Sequence, residues 1–247
     1  MSEPGTAPPS GWRRDKAAPV QEPLTLDRIV SAAIDLVDRE GLDALSMRRL
    51  GAELNAGATT LYWHVKNKDE LLDLMLDRLF AEIEAPDQGL AWKDELREQA
   101  HGLRRLLLRH RNLIMVIASR PTTGPNAVAA IDLLFGAVRR AGFPDDEVVP
   151  AALALLNYTS GYAVLEAASL AQFGPSADDA TVRKALQEGI EQTMEFILTL
   201  PAERFPNVQL VGRHLVAMDD DARFAYGLER MLDGLEARLS RSTGAGG

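Results

Sequence analysis

Cysteine is absent from the 247 residues, which excludes disulfides, thiolate nucleophiles and cysteine-ligated zinc. Histidine is scarce: His64, His101, His110 and His214 are scattered, and no HExxH, GxSxG, GxGxxG or phosphate-loop pattern accompanies them. The chain therefore does not read as an enzyme, and neither a cofactor nor a bound metal is expected. Long apolar runs are missing too. No stretch approaches eighteen consecutive apolar residues, and no basic start leads into an apolar segment, so neither a membrane span nor a secretory leader is expected and the reading is a cytoplasmic protein. Strand-like alternation and internal repeats are also lacking. What is present, 46% apolar and 26% charged residues, suits a globular chain whose length lies between one domain and two. Residues 1–23, rich in Pro, Gly and Ala, hold too few large apolar side chains to fold and read as a disordered arm.

Apolar residues recur at helical spacing through the remainder. Leu26, Ile29, Val30, Ala33 and Val37 follow the cap candidate Thr25, and Gly41 supplies a stop. Ser46 can cap a second, short helix carrying Leu50 and Leu54, and Asn55-Ala56-Gly57 suits a tight turn. A third helix is predicted over about 58–64. Asn67, with Glu70 three residues on, resembles a capping box opening a long helix through Leu71, Leu74, Met75, Leu79 and Ile83 until Ala85-Pro86-Asp87. Two helices joined by a short turn with glycine form the helix-turn-helix arrangement. Further helices are predicted over 92–110, 113–118, 126–140, 147–171, 181–200 and 222–239, between Pro- or Gly-bearing breaks. The expected fold is all-α. A three-helix helix-turn-helix unit at 24–70 is joined by a long helix to a larger helical unit at 71–240, with a short disordered tail at 241–247.

Aromatics make up only 6% of the chain, yet three rings stand together in residues 61–68, LYWHVKNK. On a helix advancing about 100° per residue, Leu61 and Val65 turn inward while Thr59, Thr60, Tyr62, Trp63 and His64 spread over the outside. Charge points to what meets them. The net charge is −9, but residues 1–69 hold 9 Lys/Arg against 10 Asp/Glu, and residues 44–68 hold Arg48, Arg49, Lys66 and Lys68 against Glu53 alone. A local basic patch on an acidic chain indicates a phosphate-bearing partner. Thr59 and Thr60 suit base edges, Arg48 suits guanine, and Tyr62, His64 and Lys68 suit backbone oxygens, to which Ser46 and the start of the second helix add amide donors. The competing reading packs Tyr62 and Trp63 between helices and leaves the lysines solvated. Trp12, Arg13, Arg14 and Lys16 in the arm read either as a solvated tail or as a basic extension into a minor groove.

The stretch IVSAAIDLVDREGLDALSMRRLGAELNAGATTLYWHVKNKDELL resembles the DNA-binding domain of TetR-type transcriptional repressors, and TLYWHVKNK resembles the tetracycline repressor branch. Residues 110–123, with HRN and ASRPTT, extend the likeness into the larger unit. The resemblance implies a third helix in the major groove, with Met47, Arg48, Ala58, Thr59, Thr60, Tyr62, Trp63, His64 and Lys68 at DNA-contacting positions. It further implies a homodimer on palindromic double-stranded operator DNA, released by a small-molecule effector. Met47 and Ala58 stand where the tetracycline repressor pattern has polar, base-reading side chains, which implies a different operator. Repression, as opposed to activation or regulation without an effector, is implied by the resemblance alone. In that branch a histidine ahead of the Arg-Pro turn binds the drug's magnesium; here Val116 or Ile117 stands there, and neither binds a metal. An apolar or aromatic effector, bound without magnesium, is therefore expected.

For the effector pocket the sequence offers Gln99, Leu103, Met115, Phe135, Tyr158, Tyr162 and Glu166, with His101, Asn157 and Phe173 as further candidates. These are a few polar groups among apolar helical neighbours. Within the resemblance, Gln99 keeps the amide type of the tetracycline pocket and Leu103 replaces an aromatic ring. The predicted helix over 147–171 is rich in small residues. Together with Phe224, Leu228, Met231, Leu232 and Leu235 of the last helix, it suits either a four-helix dimer interface or close packing within one chain. An enzyme or a helical scaffold would leave the ring-and-hydroxyl face of residues 59–64 unexplained.

Overall fold

The computed structural model describes residues 23–87, 89–120, 123–171, 173–174, 179–214 and 217–244; the expected arm, with its basic residues, and the end of the tail lie outside them. Among the described residues the regular elements are all helical. α1 (Leu26–Glu40) opens at Thr25, whose hydroxyl accepts from the Arg28 amide, and stops at Gly41 with φ 86°. α2 (Met47–Glu53) opens at Ser46, whose Oγ accepts from the Arg49 amide at 3.1 Å. α3 (Ala58–Leu61) is shorter than the spacing predicts, but turn bonds from His64 N and Val65 N to the Leu61 carbonyl carry the chain onward and bring Val65 inward beside Leu61. Gly51 makes the α2–α3 corner possible: a Cβ there would lie 2.7 Å from the Ala56 carbonyl oxygen. Asn55 takes the positive φ of the turn, at 51°.

α4 (Lys68–Phe80) is capped by Asn67, which accepts from Glu70 N at 2.8 Å. It ends before Ile83, one turn earlier than its apolar pattern. The larger unit follows as α5 (Trp92–Arg109), α6 (Ile114–Ser119), α7 (Pro125–Arg140), α8 (Asp145–Ala171), α9 (Asp179–Leu198), α10 (Pro206–Val211) and α11 (Asp220–Gly244). α10 was not anticipated: Pro206 reads as a break in sequence but stands in the first helical turn, where its missing N–H is no loss. α8 is long and apolar enough to cross a membrane by length and composition, yet it begins with three acidic residues and buries Ala152, Leu155, Ala163 and Ala167 among its neighbours.

Two principal cores result. One gathers α1, α2, Leu61, Val65 and the buried face of α4 with Leu106, Leu113 and Val116, so the helix-turn-helix unit is continuous with the larger unit. The other lies between α5, α7, α8 and α11 around Phe224 and Leu228, both fully buried. At the seam between the units, Asn112 donates to the carbonyls of Val37 (2.9 Å) and Asp38 (3.0 Å), closing the C-terminal end of α1. Beside it the buried His110 sits between Asp38, at 2.7 Å, and Glu82. Burial alone would lower the His110 pKa, but the Asp38 hydrogen bond and the two carboxylate charges hold it above the ordinary value.

Candidate nucleic-acid interface and ligand cavity

Anchored by Leu61 and Val65, the segment after Gly57 turns its remaining side chains outward. Thr59, Thr60 and His64 are exposed, Tyr62 is 52% exposed and Trp63 is 85% exposed. Packing between helices therefore does not account for Trp63. On α2, Arg48 is exposed and has no ion pair among the described residues. Ser46 is exposed as well, with its oxygen already serving as the α2 cap. Met47 departs from the expectation: it is 8% exposed and belongs to the first core. Ala58 is half-buried against the same core.

The basic patch is narrower than its count. Arg49 is held by Glu40 at 2.7 Å and Glu53 at 2.9 Å, and Arg39 bridges the same two acids. Lys68 spends its Nζ on the Leu45 carbonyl at 2.8 Å, tying α4 to the turn before α2. Lys66 is largely exposed, with Glu70 at 3.8 Å. The face that remains available comprises Arg48, the two threonines, the ring cluster and Lys66. It carries hydroxyls and rings for base edges and cations for phosphate.

In the larger unit a mostly apolar cavity lies between the end of α4, α5, α7 and α8. Gln99 and Leu103 line it, with Leu134, Leu155, Leu156 and Thr159. The other candidates are elsewhere. Tyr158 donates to the Phe224 carbonyl at 2.8 Å and stacks on its ring, and Tyr162 donates to the Asp220 carbonyl at 3.1 Å; both hydroxyls thus fasten α8 to α11. Burial raises both phenol pKa values. Phe135 packs into that core, and His101 meets Phe224 edge-on, its pKa lowered by burial and then by Arg104 and Arg105. Glu166 is a buried carboxylate held by Arg104 at 2.8 Å and Arg183 at 2.9 Å. Met115 is 63% exposed on α6, Asn157 is exposed on α8, and Phe173 lines a shallow groove against α9. Of the two residues that the resemblance sets at the magnesium-binding histidine, Val116 is buried in the first core and Ile117 packs against it. Among the described residues no group of three His, Asp or Glu could hold a metal.

Sequence reasoning missed the link between cavity and reading unit. Asp77 of α4 accepts from the amides of Asn126 (2.9 Å) and Ala127 (3.1 Å) and from Asn126 Nδ2 (2.9 Å), capping α7 from another helix. Arg120, at the end of α6, reaches both Asp69 and Asp73. The spacing Asp69, Asp73, Asp77 places all three on one face of α4, a signal legible in sequence once a partner is known.

Comparison with known proteins agrees with this arrangement. A family model described as "Bacterial regulatory proteins, tetR family" matches residues 29–75, and one described as "Tetracyclin repressor-like, C-terminal domain" matches residues 85–239. The chain is 41% identical over 184 residues to an HTH-type transcriptional regulator of Saccharopolyspora erythraea, covering 74% of this chain and 76% of the relative. It is 36% identical over 225 residues to the HTH-type transcriptional repressor DrrR1 of Streptomyces coeruleorubidus, covering 90% and 80%. Among solved structures it is similar to ActR of Streptomyces coelicolor in complex with actinorhodin, with a TM-score of 0.74, 34% identity, and coverage of 92% of this chain and all of the other.

Proposed function

This chain belongs to the tetR family of bacterial regulatory proteins, a family of transcriptional regulators, and from that premise we propose that it is a cytoplasmic repressor that binds a palindromic operator as a homodimer and is released by a small-molecule effector. The observation that carries the DNA half is the outward face of Thr59, Thr60, Tyr62, Trp63 and His64, held by the buried Leu61 and Val65, with the unpaired Arg48 beside it. Thr59, Thr60 and Arg48 read bases; Tyr62, His64, Lys66 and the amides at the Ser46-capped start of α2 take phosphate. Met47 acts through the core, by setting where α2 lies. On α8, Leu153, Asn157, Gly161 and Leu165 are exposed along one stripe, which supports a two-fold contact through α8 and α11.

The effector half rests on the cavity between α5, α7 and α8, whose walls demand an apolar or aromatic body. The ActR complex with actinorhodin supports a small molecule in this fold. Release requires that the effector prefer a state in which the two reading helices no longer match successive grooves. Selection of bound duplexes from a random pool tests the reading. An inverted repeat with half-site centres about 34–36 Å apart, or a multiple, is the expected result; recovery of no sequence preference would refute it.

A further inference from the structure

Thr159 is 1% exposed, lines the cavity, and among the described residues has no hydrogen-bond partner for its hydroxyl. A buried hydroxyl left unpaired is costly, and valine would fill the same space without that cost. The cavity meets a polar cleft through Ile83, Glu84, Pro86 and Gln99, which line both, so this is its outer end and Thr159 its inner one. In the cleft, Glu82 is held by Arg109, and Arg97 by Glu229. Among the described residues, Glu84, Asp87, Glu98 and Arg105 there have no ion pair, leaving the unpaired charge at the mouth acidic. Glu84 alone of these also lines the cavity.

We propose that the cavity takes an apolar molecule with a hydrogen-bonding oxygen at its inner end, met by Thr159, and an amine rather than an acid at its outer end, beside Glu84. This rests on the effector reading and deepens it. Because a threonine hydroxyl donates or accepts, a carbonyl or a hydroxyl on the molecule serves equally. The inner contact is dry and selects strongly; the outer one is solvated and selects weakly.

Three tricyclic probes separate the terms by calorimetry on the full chain: 2-(aminomethyl)anthraquinone, 2-(aminomethyl)anthracene, which lacks the carbonyls, and anthraquinone-2-carboxylate. The anthraquinone amine is expected to gain about fivefold or more over the anthracene amine from the Thr159 contact. That gain should vanish in Thr159→Val and survive in Thr159→Ser, a comparison that cancels the probes' different water solubilities. The amine should outbind the carboxylate by a few-fold, about two to five, with the gap closing in Glu84→Gln. Binding abolished by Leu103→Trp, which fills the cavity, but indifferent to Thr159→Val overturns the inference alone. Binding that Leu103→Trp leaves intact, or no binding by any probe, overturns the effector reading with it.

Discussion

Asp77→Ala tests how α4 is tied to the larger unit. Gly124, at the N-cap position of α7, offers no side chain, and Asp77 supplies the cap from across the helix boundary. Its Oδ1 takes two amide bonds and its Oδ2 takes Asn126 Nδ2. Loss of a cap costs about 0.5–2 kcal/mol, and the favourable placement of a carboxylate at a helix N-terminus adds about 0.3–1 kcal/mol. The site is partly buried, so the expected destabilisation is about 2 kcal/mol. For a chain of this size that lowers Tm by about 4–8 °C. Asp77→Asn keeps an oxygen for the two amides and should lose about half as much. Gly124→Ala would place a Cβ 2.2 Å from Asp77 Oδ1, forcing the carboxylate out, and should reproduce the loss without touching Asp77 itself. Thermal unfolding followed by circular dichroism reads all three. A shift under about 1 °C in Asp77→Ala, or equal shifts for Ala and Asn, would refute the capping argument. If the contact also transmits between the sites, effector-induced weakening of operator binding falls in Asp77→Ala; unchanged coupling would confine Asp77 to packing.

Three further outcomes follow from the same contacts. Arg48→Ala should cost about 1–3 kcal/mol at one base pair and relax preference there, whereas Lys66→Ala should weaken all sequences alike; a panel of point-mutated sites distinguishes them. The folded-state pKa of His110 is raised, so its contribution to stability is full below the unfolded value of about 6.5 and is lost as pH rises through the higher folded value. Denaturant midpoints should therefore fall as pH climbs above neutrality, and His110→Gln should flatten that slope; an unchanged slope would remove His110 as its source. Leu165→Glu, on the exposed stripe of α8, should give monomers by sedimentation at micromolar concentration and weaken operator binding, while a dimer that persists would move the interface elsewhere.

Local signals in the sequence proved readable where one residue type has one physical role. Thr25, Ser46 and Asn67 all cap the helices expected of them, since a short oxygen-bearing side chain before an apolar period has few other uses. The two inward residues of the LYWHVKNK stretch were fixed by the same period. Met47 was not legible: its position in the resemblance implies a surface role, but it is buried in the first core. The pocket candidates divide for a like reason. A polar residue among apolar helical neighbours looks the same whether its partner is a ligand or a distant helix. Tyr158, Tyr162 and Glu166 found theirs in Phe224, Asp220 and Arg104, 58 to 66 residues away. Thr159 is not among the pocket candidates legible in sequence, because an unpaired hydroxyl becomes visible only when its neighbours are placed.

The distribution of charge reconciles an acidic chain with a polyanionic partner. Glu40 and Glu53 are held by Arg39 and Arg49, which lowers their repulsion of phosphate and occupies those arginines. Lys68 is drawn into the joint between α4 and Leu45. Among the described residues this face keeps Arg48 without an ion pair and Lys66 held only loosely by Glu70 at 3.8 Å, so in the proposed complex the face itself releases few counterions and its sequence-independent contribution to affinity is small. Discrimination then falls to the threonines, the rings and Arg48, contacts that depend on base identity and on placement to within a fraction of a helical turn. In the proposed dimer two such faces engage the operator together, which makes their separation the quantity that matters. That separation is carried by α4, whose inner side is the core of the reading unit and whose outer acids grip the ends of α6 and α7 beside the cavity. On the proposed effector reading, a molecule that shifts α7 against α5 acts on the same helix that sets the spacing, and weak electrostatic attraction leaves little to hold the complex once the spacing is lost.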